Sequence, residues 1–286
     1  MRIGPEEAIM VDRLNNSTGV LGALKYLQSS TRDLSSAEHR LSSGLRVNSA
    51  RDDVTAYHVA EIMRGQKSSL SAVTLSLGRA ESISDTAIAA GEQISKLLIS
   101  MKETTGAAQG GDLSDEQRQA YADRFADQLE MLDRFVRSAS FDDANILDGS
   151  KPNGVSFIAD SEATQSLTLK GRNFLPGNAI ITVGEIYDLS TIDSARGASA
   201  ALDESIKNVG DQLTEMAGER KRIEAQKGFV SKLADALADG VGRMVDTDLA
   251  VESALIQALQ VKQELSAQSV GIANNAPQTL LSLFRA

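Results

Sequence analysis

The chain has 286 residues, a formal charge of −10, no Cys, no Trp and only 4% aromatics. A phosphate backbone would be repelled by that charge unless a concentrated basic patch existed, and no Lys/Arg run supplies one, so nucleic acid is excluded as a partner. Without Cys there are neither disulfides nor thiolate metal sites, and the scarcity of aromatics beside abundant Ala, Ser and Leu favours long helices over a thick globule.

The chain begins with Arg2, Glu6 and Glu7 and leads into no hydrophobic region, so no cleavable secretory signal is read there. Nor does any apolar stretch reach the roughly 18 to 20 residues that span a bilayer. From Val20 apolar residues repeat every seven positions, at Val20, Leu27, Leu34 and Leu41, with Leu24 and Leu45 between them. A seam at a 3.5-residue period keeps one narrow stripe facing a partner helix for many turns. Gly44 closes this helix, and Leu45 to Asp53 carries capping residues in the order expected before a new one.

The second helix holds its register through Val59, Met63, Gln66, Leu70, Val73, Leu77, Ala80, Ser84, Ala87, Gly91, Ile94, Leu98 and Met101. At 1.5 Å per residue it runs about 60 to 75 Å, too long for an ordinary compact domain, which predicts a rod. Its seam turns small at Ala80, Ser84, Ala87 and Gly91, which predicts close packing of a neighbouring helix there. Gly106 to Gly111 is a break. Ser114 with Gln117 forms a capping box for a third helix, whose buried face is predicted at Tyr121, Phe125, Leu129, Leu132 and Val136 and which folds back on the second.

Between Asp142 and Thr191 turn residues and short alternating runs predict a small β region, with strands at Val155–Ile158, Leu167–Lys170 and Ile180–Val183. Helical spacing resumes at Ile206 and continues through Val209, Leu213, Met216, Ile223 and Val230 to Leu237, and Gly240 and Gly242 are read as separating that helix from the last. In the last helix Val251, Ala254, Ala258, Val261, Leu265 and Ile272 repeat the three-and-four spacing, widened by Leu255 and Leu259.

The predicted fold is mainly α: an elongated antiparallel helical rod, with coiled-coil-like N- and C-terminal helices, a helical bundle and a small β-hairpin insertion. Its expected segments are 1–46 and 247–286 as the two halves of an inner-core helical domain, 47–141 and 199–246 as the rod helices, and 142–198 as the β region. Charge is depleted at both extremities. Lys25 is the sole charged residue from Leu14 to Thr31, and from Leu249 onward only Glu252, Lys262, Glu264 and Arg285 are charged. A solvated pair of helices carries charge on its outer face, so other subunits are expected to cover this one.

No chemistry stands beside that pattern. His39 and His58 lie on different helices without metal-ligand spacing, and no nucleophile elbow, P-loop or dinucleotide glycine pattern occurs. Asp52-Asp53 and Asp142-Asp143 fall at a helix start and a turn, where they supply capping oxygens. The overlapping sequons at Asn15 and Asn16 sit inside a predicted assembly helix and are read as chance. No catalytic, cofactor-binding or metal residue is assigned, and no enzyme activity is expected.

The segment Leu41-Ser42-Ser43-Gly44-Leu45-Arg46-Val47-Asn48-Ser49-Ala50-Arg51-Asp52-Asp53 resembles the N-terminal signature of bacterial flagellins. The tail from Ile272 through Ala273-Asn274-Asn275-Ala276-Pro277-Gln278 to Leu280-Leu281-Ser282-Leu283-Phe284-Arg285 is similar to their C-terminal one. The resemblance covers nearly the whole chain and is closest to the alphaproteobacterial type, in a short form without the outer variable domains. Ile94 to Glu103 lacks the Arg-rich pattern that the innate immune receptor for flagellin reads in other lineages. Residues 1 to 9 precede the family's expected start at Met10 and are expected to add nothing to assembly.

The resemblance implies a structural subunit that polymerises helically into the extracellular flagellar filament and is exported unfolded by the flagellar type III route. It also implies partners: further flagellin subunits, an export chaperone masking the C-terminal helix, and hook-associated and cap proteins. The expected assembly seam comprises Val20, Leu24, Leu27, Leu34, Leu41, Val251, Leu255, Ala258, Leu259, Val261, Leu265, Ile272, Leu280 and Leu283. Two alternatives are a hook–filament junction protein, which shares helical termini, and a helical-hairpin signalling protein, which needs a membrane span or sensor domain that the sequence lacks.

Overall fold

A computed structural model describes the backbone of residues 18–283 and the side chains of residues 19–275. In chain order the elements are α1 (Thr18–Ser43), α2 (Val54–Ala108), α3 (Asp115–Ser138), β1 (Ser140–Phe141), β2 (Ala144–Asn145), β3 (Val155–Ile158), β4 (Ser166–Leu169), α4 (Ile192–Val245) and α5 (Leu249–Leu283). The chain divides into two units. One is residues 65–237, and the other joins the described residues up to Arg64 with those from Ala238 on, so both boundaries fall inside the long helices α2 and α4. No helix among the described residues is long and apolar enough to cross a membrane.

In the unit 65–237 the periodicity of α2 is realised as burial. Leu70, Val73, Leu77, Ile94, Leu98 and Met101 join one core with Phe125, Leu132 and Val136 of α3 and Val209, Met216, Ile223 and Val230 of α4. Ala80, Ser84, Ala87 and Gly91 form a buried file on α2. A Cβ on Gly91 would stand 2.8 Å from Leu213 Cδ2, so the missing side chain is what lets α4 approach. The capping box of α3 forms as read: Ser114 Oγ accepts from Gln117 N–H and the Gln117 amide oxygen accepts from Ser114 N–H. Arg118 reaches back to the carbonyls of Ala108 and Gly110 at 2.7 and 3.2 Å, satisfying acceptors that the end of α2 leaves open.

Asp142 and Asp143 form the two-residue turn between β1 and β2, both at positive φ as a type I′ hairpin requires. The strands β3 and β4 pair antiparallel, Val155 opposite Leu169 and Phe157 opposite Leu167. Gly154 lies so close to the return strand that a Cβ would come 2.1 Å from the Leu169 carbonyl. Beyond the hairpin Arg172 is buried against α4, donating to Glu219 at 3.1 and 3.3 Å, to Gln212 at 2.9 Å and to its own neighbour's carbonyl at Lys170. Both ionised side chains are 3% exposed.

Two elements differ from the sequence reading. Ile180–Val183 is not a strand. Its N–H groups at Thr182 and Val183 donate to the Ser205 hydroxyl on α4, and its carbonyls at Ile181 and Val183 accept from Asn178 and Gly177, so the backbone is satisfied without a ladder. The helix α4 extends further at both ends. It starts at Ile192, because small buried residues, Ala195, Ala198 and Ala201, carry its first turns, and it continues through Gly240 and Gly242 to Val245. Each glycine costs a helix about 1 kcal/mol relative to Ala, and packing on Val47 and Ala60 outweighs that cost. The break falls instead at Asp246–Asp248, where Asp246 bridges to Leu45.

Candidate assembly interface

The site is built from α1, α5 and the joints that hold them. Gly44 adopts φ +70 and donates its N–H to the Arg40 carbonyl, ending α1 in the left-handed conformation that glycine tolerates best. The chain then crosses to the end of α4. Arg46 N–H donates to the Val245 carbonyl at 2.7 Å, Thr247 N–H to the Gly44 carbonyl at 3.0 Å, and the Arg46 guanidinium to the Met244 carbonyl at 2.6 Å. Val47, Ala60, Val241 and Val245 close a small cluster beneath this joint.

Two aspartates punctuate the helices that leave it. Asp53 Oδ1 accepts from Thr55 and Ala56 N–H at 2.9 Å and caps α2, and Asp248 Oδ1 accepts from Ala250 and Val251 N–H and caps α5. Asp52 shapes the loop instead: the Ser49 N–H, the Ser49 hydroxyl and the Asn48 N–H all donate to its carboxylate, which holds its pKa below the usual carboxylate value.

The pairing of α1 with α5 is thin. Ser30, Leu34 and Ala37 of α1 and Glu252, Ile256 and Leu259 of α5 are buried between them, with Val20, Ala23 and Leu27 half-buried opposite Gln263, Ser266 and Val270. The spacing is the alternating three and four of a coiled-coil seam. Arg40 pairs with Glu252 at 2.6 Å, and Gln263 donates to the Thr31 hydroxyl at 3.1 Å. Toward the far end the gap opens, lined by Gly19, Gly22 and Ala23 against Leu265.

The residues singled out in the sequence divide across this pair. On α1, Leu34 is buried, Val20 and Leu27 are half-buried, and Leu24 and Leu41 are exposed. On α5 Leu259 is the one of these residues buried against α1. Val251 at 63% and Ile272 at 73% exposure, with Leu255, Ala258 and Val261, form an apolar stripe on another side of the helix, and Leu265, 58% exposed, joins its flank while also lining the open gap beside α1. The intrachain face is displaced by one residue along the sequence. Apolar periodicity found the richer stripe, and the less apolar one, with Glu252, Gln263 and Ser266, is what meets α1. Arg40 and Glu252, which pair across that second register, are 212 residues apart and give it no local sequence signal. Leu280 and Leu283 belong to α5 with side chains outside the described residues, and residues 1 to 9 and Met10 lie outside them altogether. The file at Ala80, Ser84, Ala87 and Gly91 belongs to the other unit.

Among the described residues no three His, Cys, Asp or Glu side chains converge as a metal site, and His39 and His58 are exposed. A chain that closes one unit on its own core and leaves an apolar helical stripe open belongs to the class of helical structural subunits.

The model of the bacterial flagellin N-terminal helical region matches residues 14–152 and that of the C-terminal helical region matches residues 199–284. The chain belongs to the bacterial flagellin family. It is 36% identical to flagellin FljJ of Caulobacter vibrioides over 95% of this chain and 98% of that one. It is 28% identical to a flagellin of Brucella melitensis over 96% of this chain and 100% of the relative. A solved flagellar hook-associated protein from Vibrio parahaemolyticus, 14% identical, superposes with a TM-score of 0.55 over 68% of this chain and 100% of its own, a likeness of fold alone. The protein is therefore a structural subunit of the extracellular flagellar filament, a homopolymer, and not an enzyme.

Proposed function

We propose that this flagellin enters its filament through the exposed stripe of α5, with Val251, Leu255, Ala258, Val261, Leu265 and Ile272 packed against terminal helices of neighbouring subunits and Val20, Leu24, Leu27, Leu34, Leu41 and Leu259 completing the seam. The observation that carries this reading is the stripe itself, apolar, heptad-spaced and left largely exposed by α1. The file at Ala80, Ser84, Ala87 and Gly91 supports close helix packing inside each subunit. A Cys-free chain with a marginal terminal pair suits export in an unfolded state without a cleavable signal. An export chaperone covering α5 before assembly, and hook-associated and cap proteins at the filament ends, complete the partners. Leu265→Asp places a charge where desolvation is required and is expected to abolish filaments in electron micrographs while the melt of the unit 65–237 stays unchanged. Normal filaments from that variant would remove α5 from the interface.

A further inference from the structure

We propose that the unit 65–237 carries a second, heterologous contact between copies, in which an acid-rimmed groove beside α3 receives a basic, aromatic stripe on α4 of the next copy. The inference rests on the reading of the chain as a filament subunit and concerns surfaces other than α5. The groove, about 820 Å³, runs between α3 and residues 175–188. Its apolar lining is Phe125, Leu129, Leu175 and Tyr187, and its acidic rim is Asp123, Glu130, Asp133, Glu185 and Asp188, against one cation, Arg137, which is paired with Asp133 at 2.7 Å. Asp123 is engaged by the Gln119 amide at 2.8 Å and Glu130 by Arg134 of its own helix. Neither spends its charge on a buried partner, and Glu185 enters no ion pair among the described residues.

The opposite chemistry stands on α4. Arg222, Phe229 and Leu233 follow one another at seven and four residues, which aligns them on one side of the helix, with Lys221 and Lys232 flanking. Phe229 is 60% exposed. On the other side of the same helix Arg220 and Lys227 are committed to Glu81 and Asp85, whereas Lys221, Arg222 and Lys232 enter no ion pair among the described residues. In a chain of charge −10, unpaired cations around an exposed phenyl ring are a local reversal. The ring fits an apolar floor that already holds Phe125 and Tyr187, and the guanidinium meets carboxylates that accept two parallel hydrogen bonds. Because groove and stripe are different surfaces of one chain, their contact repeats from copy to copy without consuming itself, as an open assembly requires. A second copy is favoured over a foreign basic peptide because it brings both the cation and the ring at helical spacing.

The absence of Cys makes a cross-link decisive. Full-length Phe229→Cys and Ala126→Cys chains, mixed, polymerised and oxidised, are expected to give disulfide dimers in filaments and none in dilute monomer or in filaments of either variant alone. In a second experiment, Asp123→Arg with Glu185→Arg in one chain, or Lys221→Glu with Arg222→Glu in another, should slow seeded elongation about tenfold at low salt. All four changes in one chain should restore it. These positions are exposed, so circular dichroism melts should match the parent. Filaments without the cross-link, elongation indifferent to the reversals, or no rescue by the fourfold variant would each overturn the contact. A failure of this kind leaves the Leu265→Asp outcome untouched, so the two interfaces stand or fall separately.

Discussion

The unit 65–237 and the α1–α5 pair use the same helical grammar to different ends. In the first, three helices and two hairpins share one core of buried Leu, Ile, Phe and Val side chains. In the second, the buried cluster among the described residues of two long helices is Leu34, Ala37, Ile256 and Leu259, while most of the larger apolar residues of α5 are exposed. Area removed from water is the main favourable term in folding, at about 25 cal/mol per Å², and fixing a residue's backbone costs about 1 to 2 kcal/mol. The first unit meets that cost by itself. The second buries little apolar surface among its described residues, and in the proposed filament neighbouring subunits would supply the remainder.

Disturbing the closed unit should therefore change stability, and disturbing the open pair should change assembly. The largest stability effect is expected from Glu219→Ala, which leaves the buried Arg172 with only the half-exposed Glu215, at 3.6 Å, to offset its charge, at a cost of about 3 kcal/mol. Thermal melts of the monomer read it, and an unchanged melt would mean that Arg172 escapes to solvent. Ala87→Leu adds volume to the buried file on α2 and should cost about 1 to 3 kcal/mol, again as a lower melting temperature. If that variant melted like the parent, the file would have slack that its burial does not suggest. Ser114→Ala removes the α3 cap and should cost about 1 kcal/mol, lowering protection of the first turn of α3 in amide exchange.

The smallest effect is a pH dependence at the joint of the open unit. The hydrogen bonds from Ser49 and Asn48 depress the Asp52 pKa below its ordinary 3.8. With the folded value the lower one, its contribution is complete above the ordinary value and is lost as pH falls through the folded value. An NMR titration of the Ser49 amide is expected to show a midpoint below 3.8. In Asp52→Asn that transition should vanish. A midpoint at the ordinary value would show that the loop hydrogen bonds are not kept in solution.

The parts of this fold that were legible in the sequence are those fixed by local chemistry or long periodicity. The register from Leu70 to Met101, the Ser114–Gln117 cap and the Gly44 stop are of this kind. Ile180–Val183 misled because an alternating apolar run reads the same whether its amides meet a strand or a helix hydroxyl such as Ser205. Gly240 and Gly242 misled because propensity is a weak prior against tertiary packing. The Arg172–Glu219 pair joins residues 47 apart and has no local signal. On α5, two heptad faces lie one residue apart, and periodicity ranks them by apolarity without saying which is turned toward α1.

Amide hydrogen exchange measured in parallel on monomer and filament tests the difference between the units most directly. The α2 amides from Leu70 to Met101 should be strongly protected in both states. Those of α5 from Val251 to Ile272 should exchange readily in the monomer and become protected in the filament, because in the proposed assembly neighbours cover that stripe. Equal protection of α5 in the two states would contradict the account.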